Sequence, residues 1–246
     1  MTTNDDVPAT EADQPEPGQP DTIPADRTLV EDVLLLLFQP DSGTIAGENI
    51  LFYVLGGAAV AELALSGRAE PRPTGLFSKP IHPIGTVPPT DNLLTPVWDY
   101  LTEKPRGAQT VLAAIGPQLR APVLDRLVAR GDLRRERYKS LGFIPSTKYV
   151  LNSGRREDLL GRVQGVLLRG EDPDPRTAAT TALLSASGTL PQFHREIPWS
   201  GAVYTRGKEL EKGDWGAAAA SSAVTRTMTA VITGALSAVA VQVPHP

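Results

Sequence analysis

Twenty-eight carboxylates, three histidines and no cysteine bound the chemistry open to this 246-residue chain. His82, His194 and His245 lie far apart, and none has a carboxylate or a second histidine at a ligand spacing such as i, i+4, so neither a metal site nor a cofactor is expected. Without cysteine there are no disulfides, thiolate ligands or thiol nucleophiles, a composition that suits a reducing cytosol. The glycine-rich phosphate loops and the Gly-x-Ser-x-Gly nucleophile elbow are also missing. Among the carboxylates, Glu31, Asp32 and Glu62 stand out because apolar neighbours would raise their pKa. Glu31 and Asp32 fall where a helix N-terminus favours negative charge, and pairing with an arginine accounts for Glu62. No carboxylate pair and no Ser/His/Asp set can be assembled, so the chain reads as a non-enzyme.

The cations say more. Between Arg126 and Arg162 there are ten basic residues against four acids, a local balance of +6. Such a run attracts an anionic surface, either lipid headgroups or nucleic acid. Its centre is a basic stem of Arg134, Arg135, Arg137, Lys139 and Lys148 leading to an apolar tip of Leu141, Gly142, Phe143, Ile144 and Pro145. A basic collar with a greasy point places cations at phosphate level while Phe143 and Ile144 enter the acyl boundary. The same tip suits burial in a second copy of the chain, and the residues do not separate membrane insertion from homo-oligomerisation. Nucleic acid is set aside, because the patch lacks aromatic interleaving beyond Tyr138 and Tyr149 and matches no reading motif.

These residues need elements to hold them. Residues 1–26 carry seven acids (Asp5, Asp6, Glu11, Asp13, Glu16, Asp21, Asp26) and no Lys or Arg, so the remaining 24 basic and 21 acidic residues give a body of +3. With five prolines and no aromatic, this stretch reads as a disordered tail. It serves either as a solubilising extension or as a tethered competitor for the basic surface of the body. It has neither the basic nor the apolar region of a secretory signal. Residues 27–246 read as one mainly α domain. Thr28 caps a short buried helix ending at Phe38, and a nearly all-apolar helix follows from Ile50 to Arg68, read as the centre of the core rather than a membrane span. Prolines break residues 71–96 into loop with short extended pieces. An amphipathic helix around Leu94, Val97, Trp98 and Leu101 precedes a helix pair broken near Pro117 and Pro122 and ending at Gly131. A protruding β-hairpin occupies about 133–151, with a Gly-Phe-Ile-Pro-Ser turn. Helices follow at Arg156–Leu168 and Arg176–Leu190, and a last apolar one runs from Trp215 to Val243.

The phrases TLVEDVLLL, AELALSGR, PPTDNLLTPVWDYL, LVARGDLRRE, LLGRVQGVLL and DPDPRTAATTALLSASGTL, in this order, resemble the Golgi phosphoprotein 3 family from about Thr28 to Val243. The Ala, Arg and Pro bias is similar to that of a bacterial, actinobacterial, relative. The resemblance implies a helical core with a protruding hairpin, no catalysis, binding of phosphatidylinositol 4-phosphate, and an adaptor role toward membrane proteins. It places the protein in the cytoplasm, peripherally on the inner face of a membrane. The family's headgroup pocket uses a tryptophan and three arginines. By gap-free counting their positions fall on Gly47, Gly56, Pro117 and Arg120, so Arg120 alone matches. What the resemblance leaves is a looser grip on anionic phospholipid through Arg120 and the basic hairpin. The acidic tail has no counterpart of the family's arginine-rich N-terminal extension, so coat binding is not carried over.

Overall fold

A computed structural model describes residues 27–74, 79–140, 144–215 and 222–233. Eight α-helices and three two-stranded antiparallel ribbons are present among them. Helix α1 (Leu29–Leu37) starts with a capping box: Thr28 Oγ1 accepts from the Glu31 amide, and the Glu31 carboxylate accepts from the Thr28 amide at 2.9 Å. Every residue of α1 is buried: seven are apolar, and the two carboxylates, Glu31 and Asp32, meet arginines instead of water. Strands β1 (Phe38–Gln39) and β2 (Thr44–Ile45) close the Pro-Asp-Ser-Gly turn that ends it.

The stretch Glu48–Leu65, which ends in helix α2 (Leu51–Leu65), is long and apolar enough to cross a membrane, yet α2 lies at the centre of the fold, packed on α1 and on four later helices. It is closest to α4 (Ala108–Ala129), where glycines let the two backbones meet. A Cβ on Gly56 would stand 3.1 Å from Leu112 Cα, and one on Gly116 would stand 2.6 Å from the Phe52 carbonyl carbon. Helix α4 is a single helix rather than the expected broken pair. Pro117 and Pro122 both lie on its exposed side, where carbonyls deprived of a donor are open to water, and the Gln118 amide donates to Ala114 O at 3.1 Å beside that gap.

Between these helices, β3 (Ala69–Pro71) pairs with β4 (Ile81–Pro83), the extended pieces expected of the proline-rich stretch, and α3 (Thr95–Glu103) buries Val97, Trp98 and Leu101. Beyond the hairpin, α5 (Arg155–Leu168) and α6 (Pro175–Ala186) match expectation except that α6 stops early, at Ser187 and the left-handed Gly188. Helix α7 (Gly201–Glu211) was not expected. Its Ser200 cap and its buried Val203, Gly207 and Leu210 at helical spacing are a readable but weak signal in a mostly charged stretch. The described part of the last helix, α8 (Ser222–Val231), is core, with Met228, Val231 and Ile232 buried. The rest of the expected 215–243 helix, apart from Trp215 and the short continuation to residue 233, lies outside the described residues, as does the acidic tail 1–26.

Candidate functional site: a cationic hairpin rooted in a buried charge circuit

The hairpin consists of β5 (Leu133–Ser140) and β6 (Ile144–Leu151), paired from Leu133↔Leu151 to Ser140↔Ile144. Ile144, Pro145 and Ser146 are therefore strand rather than the expected turn, and residues 141–143 lie outside the described residues. Beyond Leu133 no described residue of either strand is fully buried, so the ribbon projects from the body. Side chains alternate between its faces. One face carries Arg135 opposite Tyr149 and Arg137 opposite Thr147; the other carries Arg134, Tyr138, and Glu136 opposite Lys148. On the second face Glu136 takes both cations, at 2.5 Å from Arg134 and 3.5 Å from Lys148. On the first, Arg135 pairs with Asp125 of α4 and lies over the Tyr149 ring, while exposed Arg137 has no carboxylate partner among the described residues. Each face thus sets two cations against one carboxylate, and Arg137 is the cation left without such a partner among the described residues. Lys139 pairs through its backbone with Pro145, and its side chain, the Ile144 side chain, Leu141 and Phe143 lie outside the described residues.

A two-stranded ribbon is marginal alone, so its root matters. Gly131, at φ 77°, ends α4, and the Asp132 amide returns to Leu127 O at 2.9 Å, which turns the chain out of the helix and into β5. Asp132, 1 % exposed, then anchors the root: it accepts from Ser153 Oγ at 2.8 Å and pairs with Arg155 at 3.1 Å and with Arg27. Arg155 also pairs with Asp32, which lies 2.7 Å from Arg176, and Arg176 lies 3.0 Å from Glu62. Glu62 accepts from the Leu29 amide as well. Burial raises the Glu62 pKa, against the lowering by Arg176 and by the Leu29 amide. Beside Asp32, Glu31 lies 3.6 Å from Arg126 and 3.3 Å from Arg130, the latter close enough for charge pairing without hydrogen-bond alignment.

The circuit resolves the basic run into two populations. Arg126, Arg130, Arg155 and Arg156 turn inward, Arg156 to Phe38 O at 2.8 Å and Glu196 at 2.6 Å, so the surface patch is smaller than the count of ten implies. Glu31, Asp32 and Glu62 serve as structural anions, as read from the sequence; Asp132 was counted there only as an acid within the run, and its place between Gly131 and the first strand was the available signal. The phrases that carry the family resemblance are the ones that build this circuit: TLVEDVLLL supplies Glu31 and Asp32, AELALSGR supplies Glu62, the Arg-Gly-Asp-Leu junction supplies Asp132, and the Asp174-capped DPDPRTAATT supplies Arg176.

Three of the four counted headgroup positions lie near one another: Gly47 adjoins Glu48, which holds Arg120, and Pro117 stands one helical turn before Arg120 on the exposed side of α4. Gly56 is buried against Leu112, where no arginine could reach solvent. Gly47 takes a left-handed turn, and a Cβ there would stand 2.6 Å from Thr189 Cγ2. Pro117 is exposed, and Arg120 is held by Glu48, Nε to Oε1 at 2.6 Å. Elsewhere, a groove of about 1060 Å³ is lined by Glu70, Arg72, Lys79, Lys212 and Arg226 among others, and Glu62 does not line it. Among the described residues no group of three or more His, Asp or Glu is arranged to hold a metal.

A mainly helical body that braces a cationic ribbon with a buried arginine–carboxylate circuit defines the class. Residues 29–227, from the first turn of α1 into α8, match the Golgi phosphoprotein 3 (GPP34) family, and the chain belongs to that family. A search among curated proteins finds no match.

Proposed function

We propose that this chain is a non-enzymatic peripheral membrane protein that docks on anionic phospholipid through the Arg135–Arg137 face of its hairpin, inserts Leu141, Phe143 and Ile144, and adapts a membrane-protein client. The observation that carries this reading is Arg137: Glu136 holds both Arg134 and Lys148 on one face and Asp125 holds Arg135 on the other, while Arg137 stands exposed on a firmly rooted stem with no carboxylate partner among the described residues. Each such cation near an anionic leaflet contributes roughly 1 kcal/mol, falling off within a Debye length. Arg134 and Lys139 add to the field, and Arg120 adds to it once released from Glu48. Recognition of phosphatidylinositol 4-phosphate, the family's lipid by resemblance, rests here on net charge rather than on a built pocket. The protein then works at the cytoplasmic face of a membrane.

The test is sedimentation with vesicles of phosphatidylcholine alone, with phosphatidylserine, and with phosphatidylinositol 4-phosphate. The reading expects salt-sensitive binding to both anionic compositions and loss of binding in Phe143→Asp/Ile144→Asp. Absence of binding at low salt would overturn it, and the hairpin would then be a protein–protein element. In that case a size that depends on concentration and falls on deleting residues 134–150 identifies the second copy as its partner.

A further inference from the structure

Arg27, the first described residue, is fixed at both ends. Its carbonyl accepts from Arg176 Nη2 at 2.6 Å, and its guanidinium pairs with Asp132. Asp132 is the residue immediately before β5. The segment 1–26 therefore leaves the body at the root of the hairpin. That segment carries seven carboxylates and no Lys or Arg, and the ribbon beside it carries Arg134, Arg135, Arg137, Lys139 and Lys148 against the single acid Glu136. Reach is ample: an eight-residue strand is about 27 Å long, while 26 residues span up to about 86 Å. A segment tethered so close acts at an effective concentration in the millimolar range.

We propose that residues 1–26 dock in cis on the Arg135–Arg137 face of the hairpin and compete there with external anionic surfaces. The occupant follows from charge complementarity and from the point of attachment, since Asp132 holds both the end of the tail and the start of the ribbon. The consequence for membranes rests on the function proposed above; the docking itself does not. On a weakly charged surface the tail wins, and on a densely anionic one the lipids displace it.

Two measurements on the full chain separate these parts. Zero-length carbodiimide coupling, read by mass spectrometry, joins carboxylates to lysines in contact. Docking predicts tail links concentrated on Lys139, in register with Arg135 and Arg137, over Lys148 on the opposite face, and lost at about 0.5 M salt, where the screening length is only a few Å. Tail links spread evenly over Lys79, Lys104, Lys208 and Lys212, or no tail links at all, would overturn it. The second compares vesicle binding of the natural chain with a neutral-tail form of the same length (Asp5→Asn, Asp6→Asn, Glu11→Gln, Asp13→Asn, Glu16→Gln, Asp21→Asn, Asp26→Asn). Competition predicts that the neutral tail strengthens binding to phosphatidylserine vesicles at least about threefold at low salt and leaves it unchanged at high salt. Equal binding at low salt overturns the competition. If neither form binds vesicles while the links fall on Lys139, docking stands and the membrane reading fails.

Discussion

Arg176 of α6 lies 2.7 Å from Asp32 of α1, a carboxylate only 1 % exposed. The pair ties two helices far apart in sequence and continues through Arg155 to the hairpin root. Removing one partner of a buried pair leaves the other charge uncompensated, so Arg176→Met is expected to lower unfolding stability by about 3 kcal/mol. Urea titration at neutral pH reads it, and a loss below about 0.5 kcal/mol would show the circuit to be incidental.

Glu62 gives the circuit a pH signature. Its folded-state pKa is raised above the ordinary 4.5 chiefly by burial, so the folded chain binds the proton more tightly than the unfolded one. The stability contributed by this group is fully present below 4.5 and is lost as pH rises through the raised value. Glu62→Gln should therefore remove that part of the pH dependence, a difference visible when urea midpoints of the two proteins are compared from about pH 4 to 7. Parallel midpoint curves for the two would contradict it.

Arg120 and Glu48 are both about half exposed, so their pair contributes little to stability, and Glu48→Gln should change the urea midpoint by less than about 0.5 kcal/mol equivalent. The same change frees Arg120 and should strengthen salt-sensitive binding to phosphatidylserine vesicles a few-fold, while Arg120→Ala weakens it. Sedimentation at low ionic strength distinguishes these outcomes.

The α2–α4 contact requires a glycine. A methyl group on Gly116 would run into the Phe52 backbone, which cannot move aside as a side-chain tip can. Gly116→Ala is expected to destabilise by about 2 kcal/mol despite the better helix propensity of alanine. Gly161→Ala on α5, where a Cβ meets nothing within 4 Å, is the control and should be neutral or stabilising.

Much of this arrangement is legible in the residues themselves. Thr28 followed by Glu31, the Ser66-Gly67 and Gly131 stops, and the Gly-Phe-Ile-Pro-Ser stretch between runs holding Leu133, Tyr138, Tyr149, Val150 and Leu151 locate α1, the end of α2, the end of α4 and the hairpin by local rules. Two features are tertiary and escape those rules. Pro117 and Pro122 read as breaks because propensity is counted per residue, whereas both fall on the solvent side of a helix held by its buried face. The basic run reads as one patch because a charge count has no direction; the folded chain turns Arg126, Arg130 and Arg155 inward to carboxylates as distant in sequence as Glu31 and Asp32.

The most direct measurement reverses charge on one hairpin face at a time and follows sedimentation with phosphatidylserine vesicles at low salt. Arg135→Glu/Arg137→Glu should abolish binding, and Arg134→Glu/Lys148→Glu, on the face that Glu136 already offsets, should weaken it far less. Equal losses from the two double variants would contradict face-specific docking, and no binding by the unaltered protein would contradict membrane docking altogether.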